Sequence, residues 1–174
     1  MEIKGLSKEK IIEISKYKRE DDSILKYRLD SFDKFVKSKG KVPFGPNFNI
    51  NFDDIIYYKA VNNDLVNDWN KVLTPIKCEL NELGVLESEK HMDGIGVQYE
   101  SEVIYHNMLK ELEDKNIIFT SIDIALKKYP ELVKKYFGKI VKNDDNSYAS
   151  LNGAVFSGGS FIYIPPHTSL DRPL

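Results

Sequence analysis

Apolar residues return along this chain in short bursts separated by polar and glycine- or proline-bearing breaks. After Ser7, the side chains of Ile11, Ile12, Ile14 and Tyr17 recur at helical spacing. A first helix is predicted there, with the Ser7 hydroxyl accepting a backbone N–H at its start and those four side chains on its buried side. Asp21 and Asp22 end it. From about Ser23 a second helix follows, whose Leu25, Leu29, Phe32 and Val36 are spaced four, three and four apart and so share one face. The two helices are expected to form a hairpin. Gly40, Pro43, Gly45 and Pro46 then oppose helix continuation, because proline lacks a donor and glycine loses the most backbone freedom on ordering. This is the first candidate linker.

The pattern next switches period. Phe48, Ile50 and Phe52 alternate with Asn47, Asn49 and Asn51, which predicts a half-buried extended segment, and Ile55 to Tyr58 continues in β-branched and aromatic residues. Thr74 before Pro75 reads as a helix cap followed by proline in the first turn, and Gly84 as the stop of a short helix carrying Cys78. Ser101 is predicted to open a further helix through Ile104, Met108 and Leu112, at four-residue spacing, before a buried strand at Ile117, Ile118 and Phe119. Ser121 restarts a helix through Ala125 and Leu126. Pro130 begins another that buries Leu132, Val133, Tyr136 and Phe137 before Gly138. A polar turn at Asn143 to Asn146 leads to a helix from Tyr148 to Phe156. Gly158 and Gly159 then introduce a strand, Phe161 to Ile164, stopped by Pro165 and Pro166. That strand has few evident partners in a chain so rich in helices. Unpaired backbone groups on a buried strand cost about 1 to 3 kcal/mol each, so it reads as part of a larger sheet.

Composition narrows the class. The 174 residues suffice for one core or two small ones, and 41% apolar with 30% charged content is that of a soluble globular protein. With 25 basic against 27 acidic residues the formal charge is −2, and the early lysines Lys8, Lys10, Lys16 and Lys18 are interleaved with Glu9, Glu13 and Glu20. A nucleic-acid groove would need an unmixed basic stripe, so no nucleic-acid partner is expected. No apolar stretch approaches the roughly 20 residues needed to span a bilayer, so no membrane partner is expected either, and the start has no signal-peptide core. The single cysteine excludes an internal disulfide and any multi-cysteine metal site built from this chain alone.

Candidate chemistry is sparse. His91, His106 and His167 are far apart and none has a second ligand three or four residues away, so surface or boundary positions are expected, with His106 in mid-helix. Asp93, Glu100 and Glu102 could pair as carboxylates, but acidic residues at a helix start are already favoured by its dipole. Lys77 beside Cys78 does not activate the thiol, since adjacent residues on a helix do not face each other. The glycines of Asp93-Gly94-Ile95-Gly96-Val97 lack the third glycine and the context of a dinucleotide fingerprint and read as a turn. Gly153, Gly158 and Gly159 lack the Gly-Lys-Ser/Thr ending of a phosphate-binding loop. The residues alone support a mainly helical α+β module that engages other protein surface, with no catalytic, cofactor-binding or metal-binding residue.

Four blocks go further. Gly45-Pro46 together with Ile50-Asn51-Phe52-Asp53-Asp54-Ile55-Ile56-Tyr57-Tyr58 resembles a stretch of the SufB family. So does Gly96-Val97-Gln98-Tyr99-Glu100-Ser101-Glu102-Val103-Ile104-Tyr105-His106. The third block is Tyr129-Pro130-Glu131-Leu132 with Lys135-Tyr136-Phe137-Gly138, and the fourth runs from Ala149 through Ser157-Gly158-Gly159-Ser160 to Pro165. The resemblance implies an α+β amino-terminal helical region leading into the first strand or strands of a SufB/SufD-type parallel β-helix. Three consecutive regions are then expected: a helical hairpin over 1–40, a mixed α/β region over 41–147, and a lead-in to the β-helix over 148–174.

By the same resemblance the process is iron-sulfur cluster assembly in the SUF system. The partners implied for the full-length family are a SufC-type ATPase and a SufD-type paralogue, with a cysteine desulfurase as sulfur source. The cofactor of the full-length family is an iron-sulfur cluster, and none is expected to bind this chain alone, because the family's functional residues lie in later parts. The chain would cover less than half of a typical member, Thr120 stands where many relatives carry cysteine, and Cys78 matches no family motif. The expected compartment is bacterial cytoplasm or plastid or apicoplast stroma, and the expected role is binding rather than catalysis. A SufD-like paralogue and a stand-alone helical interaction module are the alternatives. The Asn51 to Tyr58 and Gln98 to Glu102 strings favour SufB over SufD.

Overall fold

The computed structural model describes residues 1–38, 50–61 and 65–174. Its contacts group the chain into two units, each assembled from two stretches: Met1–Lys59 with Leu126–Ser157, and Ala60–Ala125 with Gly158–Leu174. Helices and short antiparallel strand pairs make up both, so the class is α+β.

In the first unit, β1 (Glu2–Lys4) pairs antiparallel with β2 (Ile56–Lys59), placing Ile3 opposite Tyr58. The opening residues had not been expected to form a strand. Gly5, at φ 70°, turns the chain from β1 toward α1 (Lys8–Lys18). The Ser7 hydroxyl caps α1 as expected, accepting from the Lys10 N–H at 3.4 Å. Ile11 and Ile14 are buried and Ile12 is half-buried, but Tyr17 is exposed and meets the Tyr58 ring edge-on at 5.8 Å.

The second helix, α2 (Asp22–Ser38), buries a different face from the one its leucines suggested. The buried set is Ile24, Arg28, Ser31 and Phe35, the same spacing shifted by one residue, while Leu25, Leu29 and Phe32 are half-buried and Val36 is exposed. The cause lies in α8 (Ser147–Val155), the chief partner of α2, whose buried positions are Ser147, Ser150, Gly153 and Ala154. Such small residues let the backbones approach closely. A Cβ on Gly153 would lie 2.6 Å from the Ser31 oxygen, so a leucine at position 31 would not fit. α8 itself starts as expected, with the Asn146 side chain accepting from the N–H groups of Tyr148 and Ala149.

Of the alternation around residue 50 only residues 50 to 52 are described, and they do not form a strand. Asn51 caps a 3-10 turn at Phe52–Asp54 by accepting from the Asp53 N–H at 3.2 Å, a local side-chain bond that competes with extended structure. Phe52 then packs edge-on against Phe35 at 5.1 Å. Phe48 and the linker residues Gly40, Pro43, Gly45 and Pro46 lie outside the described residues. Also in this unit, α7 (Pro130–Tyr136) begins at Pro130 as expected but buries only Val133, leaving Leu132 and Phe137 half-buried and Tyr136 exposed.

The second unit holds α3 (Thr74–Glu82) and α4 (Val85–Glu89), separated by Gly84 at φ 75°. Thr74 is inside α3 rather than its cap; Leu73 precedes the helix and gives no side-chain bond. The largest departure follows. The segment expected as a helix from Ser101 is instead β4 (Glu102–Met108), paired antiparallel with β3 (Gly94–Tyr99), so the Gly94 to Val97 stretch is a strand and His106 is on a strand as well. Glu100, at φ 53°, turns between them. The four-residue spacing of Ile104, Met108 and Leu112 was coincidence, since Leu112 belongs to the next helix, α5 (Lys110–Asp114). Val103, Ile104 and Tyr105 are β-branched or aromatic, and Tyr105 pairs across to Val97. Val97, Ile104 and Tyr105 close a core with Trp69, Val72, Ile76 and Leu80.

Finally β5 (Ile118–Ser121) pairs antiparallel with β6 (Ser160–Tyr163), with Ile118 opposite Tyr163 and Ser121 opposite Ser160. The strand expected to lack partners therefore has one. The Ser121 hydroxyl then accepts from the Ile124 N–H at the start of α6 (Ile122–Lys128). Among the described residues all ladders are antiparallel, and the isolated bridge from Val66 to Tyr105 is parallel. No described helix is long and apolar enough to cross a membrane.

Candidate functional site

β6 is one of the strands through which the second unit presents unused bonding capacity, since both of its sheets have only two strands among the described residues. One edge is taken by β5, and no other described strand pairs with it. Its side chains alternate as a strand requires, with Phe161 and Tyr163 half-buried and Ile162 and Ile164 exposed at 47% and 42%. Exposed Ile162 within β6 and Ile164 just after it accompany a second row of backbone N–H and C=O groups with no ladder partner, a template for additional sheet.

The direction in which β6 leaves is fixed by a corner. Gly158 and Gly159 have φ of 63° and 86°, a left-handed conformation that other residues enter at a cost. The Gln98 amide holds this corner: its Oε1 accepts from the Gly159 N–H at 3.0 Å, and its Nε2 donates to the Glu100 carbonyl at 3.1 Å. A Cβ on Gly158 would lie 2.4 Å from the Gln98 oxygen, so it would displace the amide from its two backbone bonds, and the positive φ strains any other residue there. On the other side the Ile122 N–H donates to the Gly159 carbonyl at 3.1 Å. Two sequence blocks sixty residues apart, Gln98 to Glu102 and Gly158 to Ile164, are thus one structural feature. Sequence reasoning saw both glycines but missed Gln98.

The segment after β6 is strapped back onto β3 and β4. Asp93, buried at 7% exposure, accepts from Arg172 Nε at 2.8 Å, its N–H donates to the Pro173 carbonyl at 2.9 Å, and its carbonyl accepts from the Leu109 N–H at 2.9 Å. The Asp93 carboxylate is therefore a structural anchor. Gly94 gives the strap room, since a Cβ there would meet the Phe119 ring at 2.7 Å and Leu174 at 3.0 Å.

The remaining candidates lie apart. Cys78 is exposed on α3, His91 is exposed after α4, and His167 is exposed at φ 61° beyond β6. Glu102 accepts from the Val61 N–H at 3.0 Å, and Glu100 holds the β3–β4 turn. Thr120 sits in β5 opposite Phe161. His106 meets Phe119 edge-on at 4.6 Å; its Nε2 is buried without a partner, and burial pushes its pKa down, opposed weakly by Glu113. Tyr105 donates to Glu89 at 2.8 Å, and burial followed by that carboxylate pushes its phenol pKa strongly up. Among the described residues no three of His, Cys, Asp and Glu converge in a way that could hold a metal ion.

Comparison with known proteins bears on what such a surface is for. The family profile described as SufBD protein N-terminal region matches residues 57–174. A protein of Staphylococcus saprophyticus named iron-sulfur cluster assembly SufBD family protein is 45% identical over 172 residues, 98% of this chain and 37% of that relative. A protein of the same name from Staphylococcus aureus strain USA300 matches with the same identity and coverage. The chain thus spans little more than a third of the length of these relatives.

Proposed function

This chain belongs to the SufBD family through that family's amino-terminal region, and on that premise we propose that it serves iron-sulfur cluster assembly as the amino-terminal portion of a SufB-type scaffold. The observation that carries the reading is β6: paired on one edge, open on the other, bearing exposed Ile162 and Ile164, and aimed by the Gln98 clamp on Gly158 and Gly159. The occupant of the open edge is the remaining length of the protein, whose first strands add to β6 as the start of a parallel β-helix. The greater length of the relatives, of which this chain spans 37%, supports such an occupant. The resemblance of the Asn51 to Tyr58 and Gln98 to Glu102 strings to SufB supports SufB over the SufD paralogue.

In this role the region positions and docks rather than catalyses. A SufC-type ATPase and a SufD-type paralogue are the partners of the complete scaffold, a cysteine desulfurase system is its sulfur source, and the nascent cluster is its cargo. The spread of Cys78, His91, His106 and His167 over separate elements of the second unit supports placing cluster ligands outside this region.

The test compares this chain with a longer protein that carries it. Each is co-expressed with the ATPase and the paralogue, then treated anaerobically with iron and sulfide and followed by visible absorbance. The longer protein is expected to hold its partners and gain a cluster chromophore, and the chain alone to do neither. Placing lysine at Ile162 and Ile164 in the longer protein is expected to abolish assembly. A chromophore on the chain alone would overturn the assignment of ligands to residues outside this region.

A further inference from the structure

The chain's near-neutral charge conceals two local excesses of opposite sign, each beside exposed apolar side chains. Between residues 127 and 142 stand six lysines against Glu131, which pairs with Lys134 at 3.7 Å, and the exposed Asp144 and Asp145 follow directly. The turn that follows α7 is the apolar part of this stretch: Ile140 is 96% exposed, Val141 65% and Tyr136 52%. Lys139 and Lys142 flank the pair and have no ion-pair partner among the described residues, while Lys135 lies over the Tyr136 ring at 5.1 Å. An aliphatic pair this exposed, with cations on both sides, offers apolar area that a partner of opposite charge could cover. The second surface lies in the other unit, at the end of α3 and the start of α4. Leu83 is 77% exposed there and Leu86 37%, with Glu79 and Glu82 exposed beside them. Residues 78–89 contain four glutamates and no basic residue. Glu87 is already paired with Lys90 at 2.6 Å, whereas Glu79 and Glu82 have no ion-pair partner among the described residues.

We propose that these two surfaces bind each other between copies of the chain, the Lys139–Lys142 turn of one copy docking on the Glu79–Leu86 surface of another. Each surface supplies what the other lacks: Ile140 and Val141 gain apolar cover from Leu83 and Leu86, and the lysines meet Glu79 and Glu82 at the rim. Opposite rims steer the encounter and fix its register, while the apolar centre holds it. A partner with like charge at either surface would be rejected, so the match is selective as well as attractive. This interface uses residues other than those of β6 and does not depend on the scaffold reading.

A charge exchange tests it. The sedimentation behaviour of the whole chain is followed over a range of concentrations at low salt, together with Lys139→Glu/Lys142→Glu and Glu79→Lys/Glu82→Lys. All four positions are exposed, so folding is expected to persist, checked by circular dichroism. The parent is expected to associate at low salt and dissociate as salt screens the rims. Each double variant is expected to be monomeric, and their equimolar mixture to associate again, because each then offers the other an opposite surface. A parent that stays monomeric at every concentration would overturn the proposal. So would reversal variants that associate as the parent does and resist salt, which is the behaviour expected of pairing through the β6 edge and would leave the scaffold reading standing.

Discussion

Arg28 and Glu20 form a buried two-pronged ion pair, with Nε 2.7 Å from Oε2 and Nη2 2.6 Å from Oε1, and the Arg28 side chain has no exposure to solvent. The same guanidinium also donates to the Ala154 carbonyl at 3.1 Å and the Phe156 carbonyl at 2.9 Å, and its carbon lies 3.9 Å from the centre of the Phe156 ring. Those carbonyls belong to the end of α8, where helix acceptors lose their intrahelical donors. One side chain therefore neutralises a buried carboxylate, caps α8 and fixes the entry of the chain into α2. This accounts for a charged residue in the middle of the buried face of α2.

Removing either partner leaves the other charge buried and uncompensated. Glu20→Ala and Arg28→Ala are each expected to lower stability by about 3–5 kcal/mol. The paired change Glu20→Leu/Arg28→Met should cost much less than the two single losses together, since no orphan charge remains. Arg28→Lys is expected to be destabilising as well, because a point ammonium cannot serve the carboxylate and two carbonyls in one plane. Urea unfolding of the four variants checks this, and additive single effects would contradict the coupling.

The Gly158 corner makes a second coupled pair. Gly158→Ala must hold a side chain at φ 63° and push it toward the Gln98 amide, for an expected loss of about 1–3 kcal/mol. In a Gln98→Ala background the steric part disappears and the conformational part remains, so the glycine change should cost less there. Thermal unfolding of the double-mutant cycle measures the difference. Equal costs in both backgrounds would mean that the amide simply moves away.

These pairs show what the sequence made legible. Ser7, Asn146, Pro130 and Gly84 announce helix boundaries through local chemistry, and all four stand at or beside the boundaries observed. Gly158 and Gly159 announce a turn into a strand, which β6 confirms. The α2 face was misread because the choice between neighbouring faces depends on Gly153 and Ala154, more than a hundred residues away. The β3–β4 hairpin was misread because Glu100 turns the chain without glycine, and the spacing of Ile104, Met108 and Leu112 satisfies helical periodicity by chance. Gln98 carries no local signature, and the partners of both Gln98 and Arg28 are set by the tertiary fold. A polar residue at a predicted helix centre, as Arg28 is, was the available hint.

Close approach of α2 and α8 is open to a direct test at Gly153. A Cβ there would stand 2.6 Å from the Ser31 oxygen, 3.0 Å from the Ser31 Cβ and 3.2 Å from the Asn143 Cβ, with no flexible chain end to give way. The surrounding network is also committed: Asn143 donates to Ser31 at 2.7 Å and to Asp30 at 3.0 Å, and accepts from Lys34 at 2.8 Å. Gly153→Ala, normally favourable in a helix, is therefore expected to destabilise by about 1–3 kcal/mol, read from the urea midpoint. A stabilised variant would mean that the helices separate freely.

His106 gives the second unit an acid-sensitive point. Its ring lies against Phe119, its Nε2 is buried without an acceptor, and burial holds its pKa below the ordinary value of 6.5. In the unfolded chain the same ring takes up a proton near pH 6.5, so between that value and the lower folded pKa the unfolded state binds more protons. Stability due to this residue is then complete above about pH 6.5 and falls as the pH drops toward the folded pKa. Glu113 is the acidic group that opposes the shift, so Glu113→Gln should steepen the loss. His106→Phe keeps an aromatic ring beside Phe119 and removes both the titration and the unpartnered nitrogen, so its unfolding free energy should be flatter between pH 7 and about pH 5. Carboxylates that the fold favours in ionised form, Asp21 and Asp30 among them, act below this window because their ordinary value is 3.8 and the fold lowers it further. Denaturant unfolding of the parent and His106→Phe across that range separates the contributions: a parent curve as flat as the variant's would show that the buried ring is protonated without cost.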